Sequence, residues 1–585
     1  MQDSVQDAPE RDITSTRAAA VVHADAPKAE ARELTVSVEA LLWAGLVLMA
    51  GALRLVQLAT QPLTVDEGQR AFDATRVANG DVPQTWRGDL AEAATSYLFR
   101  VFGETDLLAR LLPAVAGVAL VGLLWFARPY AGRVGALVSA ALLAFSPLLV
   151  LYSRSATEFG VGAFVAGLIV VTLFAYLRQP RLALAFPLIV GLALAPLTDA
   201  VAMVSALVAV LFLVFEAMFF ANVEVRQAVR AFRRSPPQWL TVLIVVAAAL
   251  QFGITRFGTS LEGLDLPGLS ILRDMFETPR DSRPPEYHFA LLLAYDWPLL
   301  LGGAAGCVFV LTALLRQRVS TAFERFALLW IVTASVALAL ATRRDAGQLL
   351  MLLLPLALLA GRLAEDIVER ADWGAACHWW PAGAVIAAAS GAAAVLMTEW
   401  SSGNADVAER LTLIALVGIA VGIVGFVLLR APGMAIPVLS GVLGLAATVF
   451  LAHLSLAVAF SDGTEFAVDL RLTASAEQLR ETVDKLARER GGKIVVDADL
   501  ADELGWTLRD SRVVFGGPTD RASAVVSRPN ANPAGFVARE EVWRVAEGWY
   551  PDDILAPRRM WRWLLYREAY SDVNAEDVRI FVRTI

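Results

Sequence analysis

Residues 159–177 read FGVGAFVAGLIVVTLFAYL, and none of these side chains carries a charge. A bilayer core is about 30 Å thick, and an α-helix that rises about 1.5 Å per residue needs about 20 apolar residues to cross it. This stretch is therefore long enough to span a membrane. Composition supports the same interpretation, because 57% of the 585 residues are apolar and only 18% are charged, against about 45–50% and about 25% in soluble domains.

Further apolar runs precede and follow this one, which predicts about thirteen transmembrane helices. The runs cover residues 34–58, 107–126, 134–151, 159–177, 182–197, 200–220, 240–254, 289–315, 326–341, 348–360, 381–397, 411–429 and 434–460. The count is approximate, because the runs that end at residues 197, 254, 341 and 360 are short. The predicted fold is an all-α polytopic membrane bundle in residues 34–460, preceded by a disordered tail in residues 1–33 with little apolar content.

The arginines predict the orientation of this bundle, because short cytoplasmic loops are enriched in Lys and Arg. Alternate loops carry them, at Arg128, Arg133, Arg178, Arg181, Arg226, Arg230, Arg233, Arg234, Arg316, Arg318 and Arg325. With these loops inside, the tail is cytoplasmic, and an odd number of crossings places residues 461–585 outside. The sequence thus predicts a multi-pass protein of the cell membrane with a long polar outer loop at residues 59–106.

Residues 461–585 change character and predict a small extracytoplasmic α/β domain. Residues 474–490 have the apolar spacing of a helix, whereas strands are predicted at residues 493–496, 512–515, 522–526 and 536–545. A second helix is predicted at residues 558–570. Its Trp561, Trp563 and Tyr566 could rest on the membrane interface or form an ordinary core.

Charge and cysteine content exclude several classes of function. The net charge is −8 and no basic patch spans the chain, so nucleic acid is not an expected partner. Cys307 and Cys377 lie in or beside apolar segments without a CxxC pattern, and the four histidines are scattered. A disulfide framework, a structural zinc site and a histidine-built metal site are therefore not expected.

The strongest local signal for chemistry is Thr64-Val65-Asp66-Glu67, which follows the first predicted helix. A carboxylate at the outer mouth of a helical bundle could act as a general base on an acceptor hydroxyl. Such a base contributes about 10²–10⁴-fold to a rate. The alternative is that these two adjacent acids are solvated loop charges.

Two other positions interrupt the apolar pattern. Tyr152, Arg154 and Glu158 lie in a short outer loop, where the charged side chains could hold a sugar or a phosphate. The alternative for Arg154 and Glu158 is a surface ion pair worth about 0–1 kcal/mol. Asp199 falls between two apolar runs, which is compatible with an outer turn or a polar cavity.

Arg343 and Arg344 lie on the predicted outer face, against the charge bias of the bundle. Guanidinium groups bind phosphate oxygens in a bidentate manner, and a lipid phosphate head group would lie at this depth. The alternative is a pair of interfacial side chains that snorkel towards water.

Several of these residues and the segments around them occur in a recognisable order along the chain. Asp66-Glu67, the ARLLP of residues 109–113, and the FSP and YSR of residues 145–147 and 152–154 resemble the C-type (GT-C) membrane glycosyltransferases. That class includes protein O-mannosyltransferases and lipid A aminoarabinose transferases. A closer resemblance is to the branch first named for an archaeal flippase-associated protein of N-glycosylation. It is carried by YDWPLLLG, WTLRD and WRWLLYRE, at residues 295–302, 506–510 and 561–568.

The resemblance implies a reaction and its partners. A polyprenyl-phosphate sugar donor would enter sideways from the outer leaflet of the membrane lipid. Asp66, with Glu67 beside it, would deprotonate a hydroxyl of a glycan, lipid or protein acceptor, which attacks the anomeric carbon with inversion. Arg343 or Arg344 would offset the charge that grows on the departing phosphate.

The resemblance also implies a sugar pocket. Its substrate-binding residues would be Tyr97, Tyr152, Arg154, Glu158 and Asp199. No cofactor is firmly implied, but some relatives need a divalent metal ion. Asp66, Glu67 and Glu158 could supply the oxygen ligands that such an ion prefers.

Two departures from the branch leave the function open. Glu92-Ala93-Ala94 stands where relatives usually have His-Gly-Pro before the tyrosine of the first loop, and Thr198-Asp199 stands where many carry a lysine. The chain could therefore use another acceptor or have lost catalysis. The alternative function is a flippase or flippase-accessory protein for lipid-linked glycans. A transporter should show inverted repeats and midplane charges, whereas the polar residues here concentrate on one face. The α/β domain could also bind cell-wall glycan or a partner protein.

Overall fold

The structure is a computed structural model that describes residues 37–81, 89–220, 223–234, 286–316, 320–371, 432–460, 465–468, 470–490, 493–517, 522–551 and 566–583, with scattered positions between these ranges. The chain divides into two units, Met1–Leu42 and Trp43–Ile585. The features described below belong to the second unit, apart from the first residues of helix α1.

Helices dominate the chain up to Phe460. In chain order they are α1 (Val38–Leu55), α2 (Val65–Ala78), α3 (Leu90–Phe102), α4 (Asp106–Leu123), α5 (Arg128–Ala131), α6 (Arg133–Ala144), α7 (Pro147–Ser153), α8 (Phe159–Arg178), α9 (Leu182–Leu194), α10 (Ala200–Phe215), α11 (Val223–Arg234), α12 (Tyr287–Leu315), α13 (Ala322–Leu340), α14 (Leu350–Arg370) and α15 (Pro432–Phe460). Small residues let neighbours approach closely. A Cβ on Gly361 of α14 would lie 2.2 Å from the carbonyl oxygen of Gly135 on α6.

Eight helices within the described residues are long and apolar enough to cross a membrane. They are Val38–Leu55, Asp106–Ala131, Phe159–Arg178, Ala200–Phe220, Tyr287–Leu315, Ala322–Leu340, Ala346–Arg370 and Ser440–Phe460. The bent pair α6 and α7 would make a ninth crossing, and Leu182–Leu197 is a shorter apolar helix. The predicted all-α polytopic bundle is confirmed. The count of thirteen is not, because the predicted runs at 240–254, 381–397 and 411–429 lie largely outside the described residues.

The bend between α6 and α7 has a local cause. The two helices meet at 62°, and Pro147 begins the second of them. The last carbonyl groups of a helix lack partners within it. The fully buried guanidinium of Arg54, on α1, donates to the carbonyl oxygens of Leu143 and Ala144 at 3.1 Å each. The loop after α7, which begins at Arg154, therefore leaves the bundle from a fixed position.

A six-stranded sheet follows the bundle and confirms the predicted C-terminal α/β domain. Its elements are β1 (Arg471–Leu472), α16 (Ala474–Arg490), β2 (Lys493–Val496), α17 (Ala501–Leu504), β3 (Val513–Phe515), β4 (Ala522–Ser527), β5 (Phe536–Trp549) and β6 (Val573–Arg583). The strand order is β1-β5-β6-β4-β2-β3, with β2 parallel to β3 and β4 and the other pairs antiparallel. Helix α16 has the predicted bounds, whereas β1 and β6 were not predicted.

The aromatic residues near the C-terminus lie in a core. The Trp563 ring is fully buried, with its centroid 5.3 Å from that of Tyr295 on α12 and 5.6 Å from that of Trp549 on β5. Tyr566 is exposed, and Trp561 lies outside the described residues. The core alternative therefore holds for Trp563.

Backbone hydrogen bonds join the outer loop to the C-terminal domain. The N–H of Val65 donates to the carbonyl of Leu470, and that of Leu472 donates to the carbonyl of Leu63, both at 3.0 Å. Between them, Thr64 and Arg471 form an isolated antiparallel bridge. The start of α2 is thereby fixed against β1, although the two are about 400 residues apart in the chain.

Candidate functional site

A cavity of about 500 Å³ lies where the start of α2, the loop after α7, the residues that follow α13 and the segment before β1 meet. Its charged lining residues are Asp66, Glu67, Arg70, Asp73, Glu92, Arg110, Arg154, Arg283, Arg343, Asp345 and Arg471. Its apolar and aromatic wall includes Leu151, Tyr152, Phe159 and Tyr287. Ligand sites commonly combine apolar walls with a few convergent polar groups, so this cavity is the candidate active site.

The cavity brings together most of the residues that the sequence singles out. Those that line it are Asp66, Glu67, Tyr152, Arg154 and Arg343. Glu158 lies directly behind the wall, because its carboxylate pairs with the lining residue Arg70 at 2.6 Å. The lining does not include Tyr97, Asp199 or Arg344.

Asp199 and Tyr97 occupy positions away from the cavity wall. The Asp199 carboxylate is fully buried and caps α10, since its Oδ1 atom accepts from the N–H of Ala202 at 2.9 Å. Helix α8 approaches this carboxylate at a glycine, where a Cβ on Gly162 would lie 1.9 Å from the same oxygen. Tyr97 is half-buried on α3. Their predicted contacts with substrate gain no support from these positions.

The two neighbouring acids at the start of α2 have different surroundings. Glu67 is buried and forms a capping box with Thr64, whose N–H donates to Glu67 Oε2 at 2.9 Å. The guanidinium of Arg110 donates to both Glu67 oxygens at 2.8 Å, and the N–H of Ala156 donates at 2.6 Å. Asp66, by contrast, is exposed on the cavity wall. Asp66 is therefore the acid of this pair that a ligand can reach.

Opposing effects act on the pKa of Glu67. Burial raises this pKa. The charge and hydrogen bonds of Arg110 and the N–H groups of Thr64 and Ala156 lower it by more, so the pKa lies below its ordinary value. The carboxylate is thus charged at neutral pH, with both oxygens engaged. This arrangement fixes the start of α2 against α4 and the loop after α7.

Arg70 lies one helical turn after Asp66 and organises a cluster of acids. Its guanidinium contacts Asp89 at 3.1 Å, Glu92 at 3.6 Å and Glu158 at 2.6 Å. Burial lowers the pKa of Arg70, but the neighbouring carboxylates more than reverse this effect and raise it above the ordinary value. Glu92 is the first residue of the Glu92-Ala93-Ala94 segment, which differs from the His-Gly-Pro of the related branch. It is therefore an ion-pair partner inside the candidate site.

Arg154 and Glu158 do not pair with each other. The Arg154 guanidinium donates to the carbonyl oxygens of Leu53, Val56 and Gln57 at 2.9–3.0 Å, at the end of α1 where the helix dipole favours a cation. The nearby Tyr152 hydroxyl donates to the carbonyl of Ala467 at 3.3 Å. Arg154 thus joins the cavity wall to the end of α1, and Tyr152 joins it to the segment before β1.

Arg343 and Arg344 differ in exposure and surroundings. Arg343 is exposed on the cavity wall. Arg344 is only 4% exposed, and it and Arg283 donate to each other's backbone carbonyl groups. Asp345 then caps a short 3₁₀ turn by accepting from the N–H of Gly347 at 3.0 Å. Arg343 is therefore the arginine of this pair that a ligand in the cavity can reach.

The expected carboxylate ligands for a divalent metal ion do not converge. Glu67 pairs with Arg110 and Glu158 with Arg70. Within the described parts of the chain, no group of three or more His, Cys, Asp or Glu side chains could hold a metal ion. The trio of Asp66, Glu67 and Glu158 is therefore not a metal site in this arrangement.

Sequence reasoning assigned no site role to seven charged residues of the wall: Arg70, Asp73, Glu92, Arg110, Arg283, Asp345 and Arg471. Arg70 carried a usable signal, because it follows Asp66 by four residues, the spacing that places side chains on one helix face. Arg471 carried none, since only the backbone bridge to Thr64 brings it to the cavity.

Comparison with solved structures identifies the fold. The structure of ArnT from Cupriavidus metallidurans bound to undecaprenyl phosphate is similar at a TM-score of 0.54 and 16% identity, over 84% of this chain and 93% of that one. The oligosaccharyltransferase of Archaeoglobus fulgidus in the apo form is similar at a TM-score of 0.51 and 12% identity, over 84% of this chain and 69% of that one.

Both proteins are GT-C glycosyltransferases, so the predicted GT-C-like fold is confirmed. At these identities the similarity establishes the fold and leaves the activity to be argued from the site. No family model matches the chain, and no curated protein matches it.

Proposed function

We propose that this protein transfers a sugar from a polyprenyl-phosphate-linked donor to an acceptor hydroxyl within the cavity. The observation that carries the proposal is that an exposed carboxylate, Asp66, and an exposed guanidinium, Arg343, line one cavity beside a helical membrane bundle. The fold is that of ArnT, which has been solved with bound undecaprenyl phosphate. A membrane-embedded donor and a polar cavity beside long apolar helices suit this chemistry.

The proposed reaction needs one base and one cation. Asp66 takes the proton of the acceptor hydroxyl, whose oxygen forms a bond to the anomeric carbon of the sugar. The bond between that carbon and the phosphate oxygen breaks, and the electron pair leaves with the polyprenyl phosphate. Attack opposite to the leaving phosphate inverts the anomeric configuration. Arg343 stabilises the negative charge that develops on the phosphate.

The remaining wall residues position these two groups. We assign Glu67 to holding the start of α2 rather than to proton transfer, because Arg110 and two backbone N–H groups occupy its oxygens. Arg70 and Glu158 extend this support behind Asp66. Arg154 and Tyr152, which also line the cavity, shape the sugar pocket.

Arg343→Ala is expected to weaken binding of undecaprenyl phosphate by about 10–100-fold, because a hydrogen bond between charged groups contributes about 1.5–3 kcal/mol. Transfer should fall in parallel. The measurement is lipid binding by the purified protein in detergent. Arg343→Lys keeps the charge but loses the paired N–H donors of the guanidinium, so it should recover part of the affinity.

Arg344→Ala is the matched comparison for this variant. Arg344 contacts the carbonyl of Arg283 and does not line the cavity. Its loss should therefore lower the melting temperature and leave the lipid affinity close to that of the wild type. Equal lipid affinity in the wild type and Arg343→Ala would remove Arg343 from the phosphate site.

The orientation is part of the same proposal. The donor and acceptor meet on the outer face if the cavity and the C-terminal sheet are extracytoplasmic. A periplasmic reporter such as alkaline phosphatase, fused after residue 585, should then be active, whereas a fusion directly after the arginine-rich helix α11 should be inactive. The opposite pattern would place the site inside and contradict an outer-leaflet donor.

A further inference from the structure

The C-terminal domain contributes an arginine to the cavity wall. Arg471, the first residue of β1, lines the cavity. Its Nη1 atom is buried and has no hydrogen-bond partner in the described portion of the structure. A buried donor without a partner is costly, so the position suits a ligand that supplies an acceptor oxygen.

The neighbouring arginines of the wall are already engaged. Arg70 contacts three carboxylates, Arg110 pairs with Glu67, and Arg154 donates to three carbonyl oxygens. These groups are therefore structural cations. Arg343 and Arg471 are different, because Arg343 is exposed on the cavity wall and the Arg471 Nη1 atom has no hydrogen-bond partner among the described residues.

We propose that Arg471 binds an anionic group of the acceptor, so that the acceptor carries a phosphate or carboxylate close to the hydroxyl that receives the sugar. This inference rests on the proposed function, because it identifies the second substrate of the same cavity. Guanidinium binds both phosphate and carboxylate through paired N–H donors.

Position assigns Arg471 to the acceptor and Arg343 to the donor. Arg471 forms a backbone bridge with Thr64, which precedes Asp66 by two residues, and bridged residues have Cα atoms about 4.5–5.5 Å apart. A group held by Arg471 therefore lies beside the proposed base, where the acceptor hydroxyl must be. Arg343 lies between the membrane helices α13 and α14, where a lipid-linked phosphate would arrive.

Two successive titrations of the full-length protein in detergent separate these anions. Undecaprenyl phosphate is added first, and the lipid-saturated protein is then titrated with inorganic phosphate, with tryptophan fluorescence as the readout. The wild type should bind both. Arg471→Ala should weaken the binding of inorganic phosphate at least about tenfold and leave the affinity for undecaprenyl phosphate within about twofold. Arg343→Ala should show the reverse.

Two further variants complete the test. Arg539→Ala removes an exposed arginine of β5 outside the cavity lining and should bind both anions as the wild type does. Arg471→Lys keeps the charge and should retain weakened phosphate binding. If Arg471→Ala does not fold, Arg471→Gln, which keeps the length of a polar side chain, takes its place.

The outcomes distinguish this inference from the proposed function. Unchanged phosphate binding in Arg471→Ala, a loss of lipid binding instead, or no phosphate binding by the lipid-saturated wild type would overturn the acceptor assignment. If the wild type does not bind undecaprenyl phosphate but Arg471→Ala abolishes binding of inorganic phosphate, the proposed donor is wrong and the anion site stands.

Discussion

Asp66→Asn is expected to lower sugar transfer by about 10²–10⁴-fold, because asparagine has the shape of aspartate but cannot accept the proton of the acceptor hydroxyl. Asp66 is exposed on the cavity wall, so its replacement disturbs no buried ion pair, and yield and melting temperature should not change. The measurement is the transfer of labelled sugar from polyprenyl-phosphate donors by the purified protein.

Asp81→Asn is the matched control for this variant. Asp81 is an exposed carboxylate of the same outer loop, pairs with Arg76 and lies outside the cavity lining, so it should retain wild-type turnover. Wild-type turnover in Asp66→Asn would remove the proposed base. Lipid flipping without any transfer by the wild type would instead favour the flippase alternative.

Arg110→Met is expected to destabilise the protein by about 3–5 kcal/mol, because removing one partner of a buried ion pair leaves the other as an uncompensated charge. Glu67 is 1% exposed and loses two hydrogen bonds of 2.8 Å in this variant. Transfer should fall as well, since Glu67 holds the helix that carries Asp66. Thermal unfolding in detergent, together with turnover, measures both effects.

The double variant Arg110→Met with Glu67→Leu tests the cause of this loss. It removes both charges, so its melting temperature should exceed that of Arg110→Met alone. A melting temperature of Arg110→Met equal to that of the wild type would show that the ion pair has no structural role.

The lowered pKa of Glu67 adds a pH dependence with a defined sign. A carboxylate whose pKa is lower in the folded than in the unfolded protein stabilises the fold above the unfolded value of about 4.3, and this contribution is lost as the pH falls through the folded value. The melting temperature of the wild type should therefore fall relative to that of the double variant on acidification below about pH 4.

The elements that depend on local pattern could be predicted from the sequence. The helices of the bundle follow from runs of apolar residues, and α16 follows from the spacing of Leu479, Val483 and Leu486, all buried under the sheet. Strand β6 was missed, because residues 573–583 alternate charged and apolar side chains only in part. Its place between β4 and β5 is set by long-range pairing.

The residues of the candidate site divide in the same way, into those with a local signal in the sequence and those without one. Asp66 could be found as an acid directly after a membrane helix, and Arg343 as an arginine against the charge bias. Their common cavity follows from packing between distant segments and has no local signature. Glu67 illustrates the limit most clearly, because nothing in the neighbourhood of residue 67 reveals that Arg110 neutralises it.

The backbone bridge between Thr64 and Arg471 has a consequence for biosynthesis. A ribosome that adds about 5–20 residues per second needs roughly 20–80 s to proceed from one residue to the other. Throughout that interval the nascent chain can insert its early helices, although Arg471, which lines the cavity beside Asp66, has not yet been synthesised. The candidate cavity is therefore complete only after residue 471 has been synthesised. A chain that ends at residue 460 should integrate into the bilayer yet expose its 59–106 loop to protease, whereas protection of that loop would contradict this order of events.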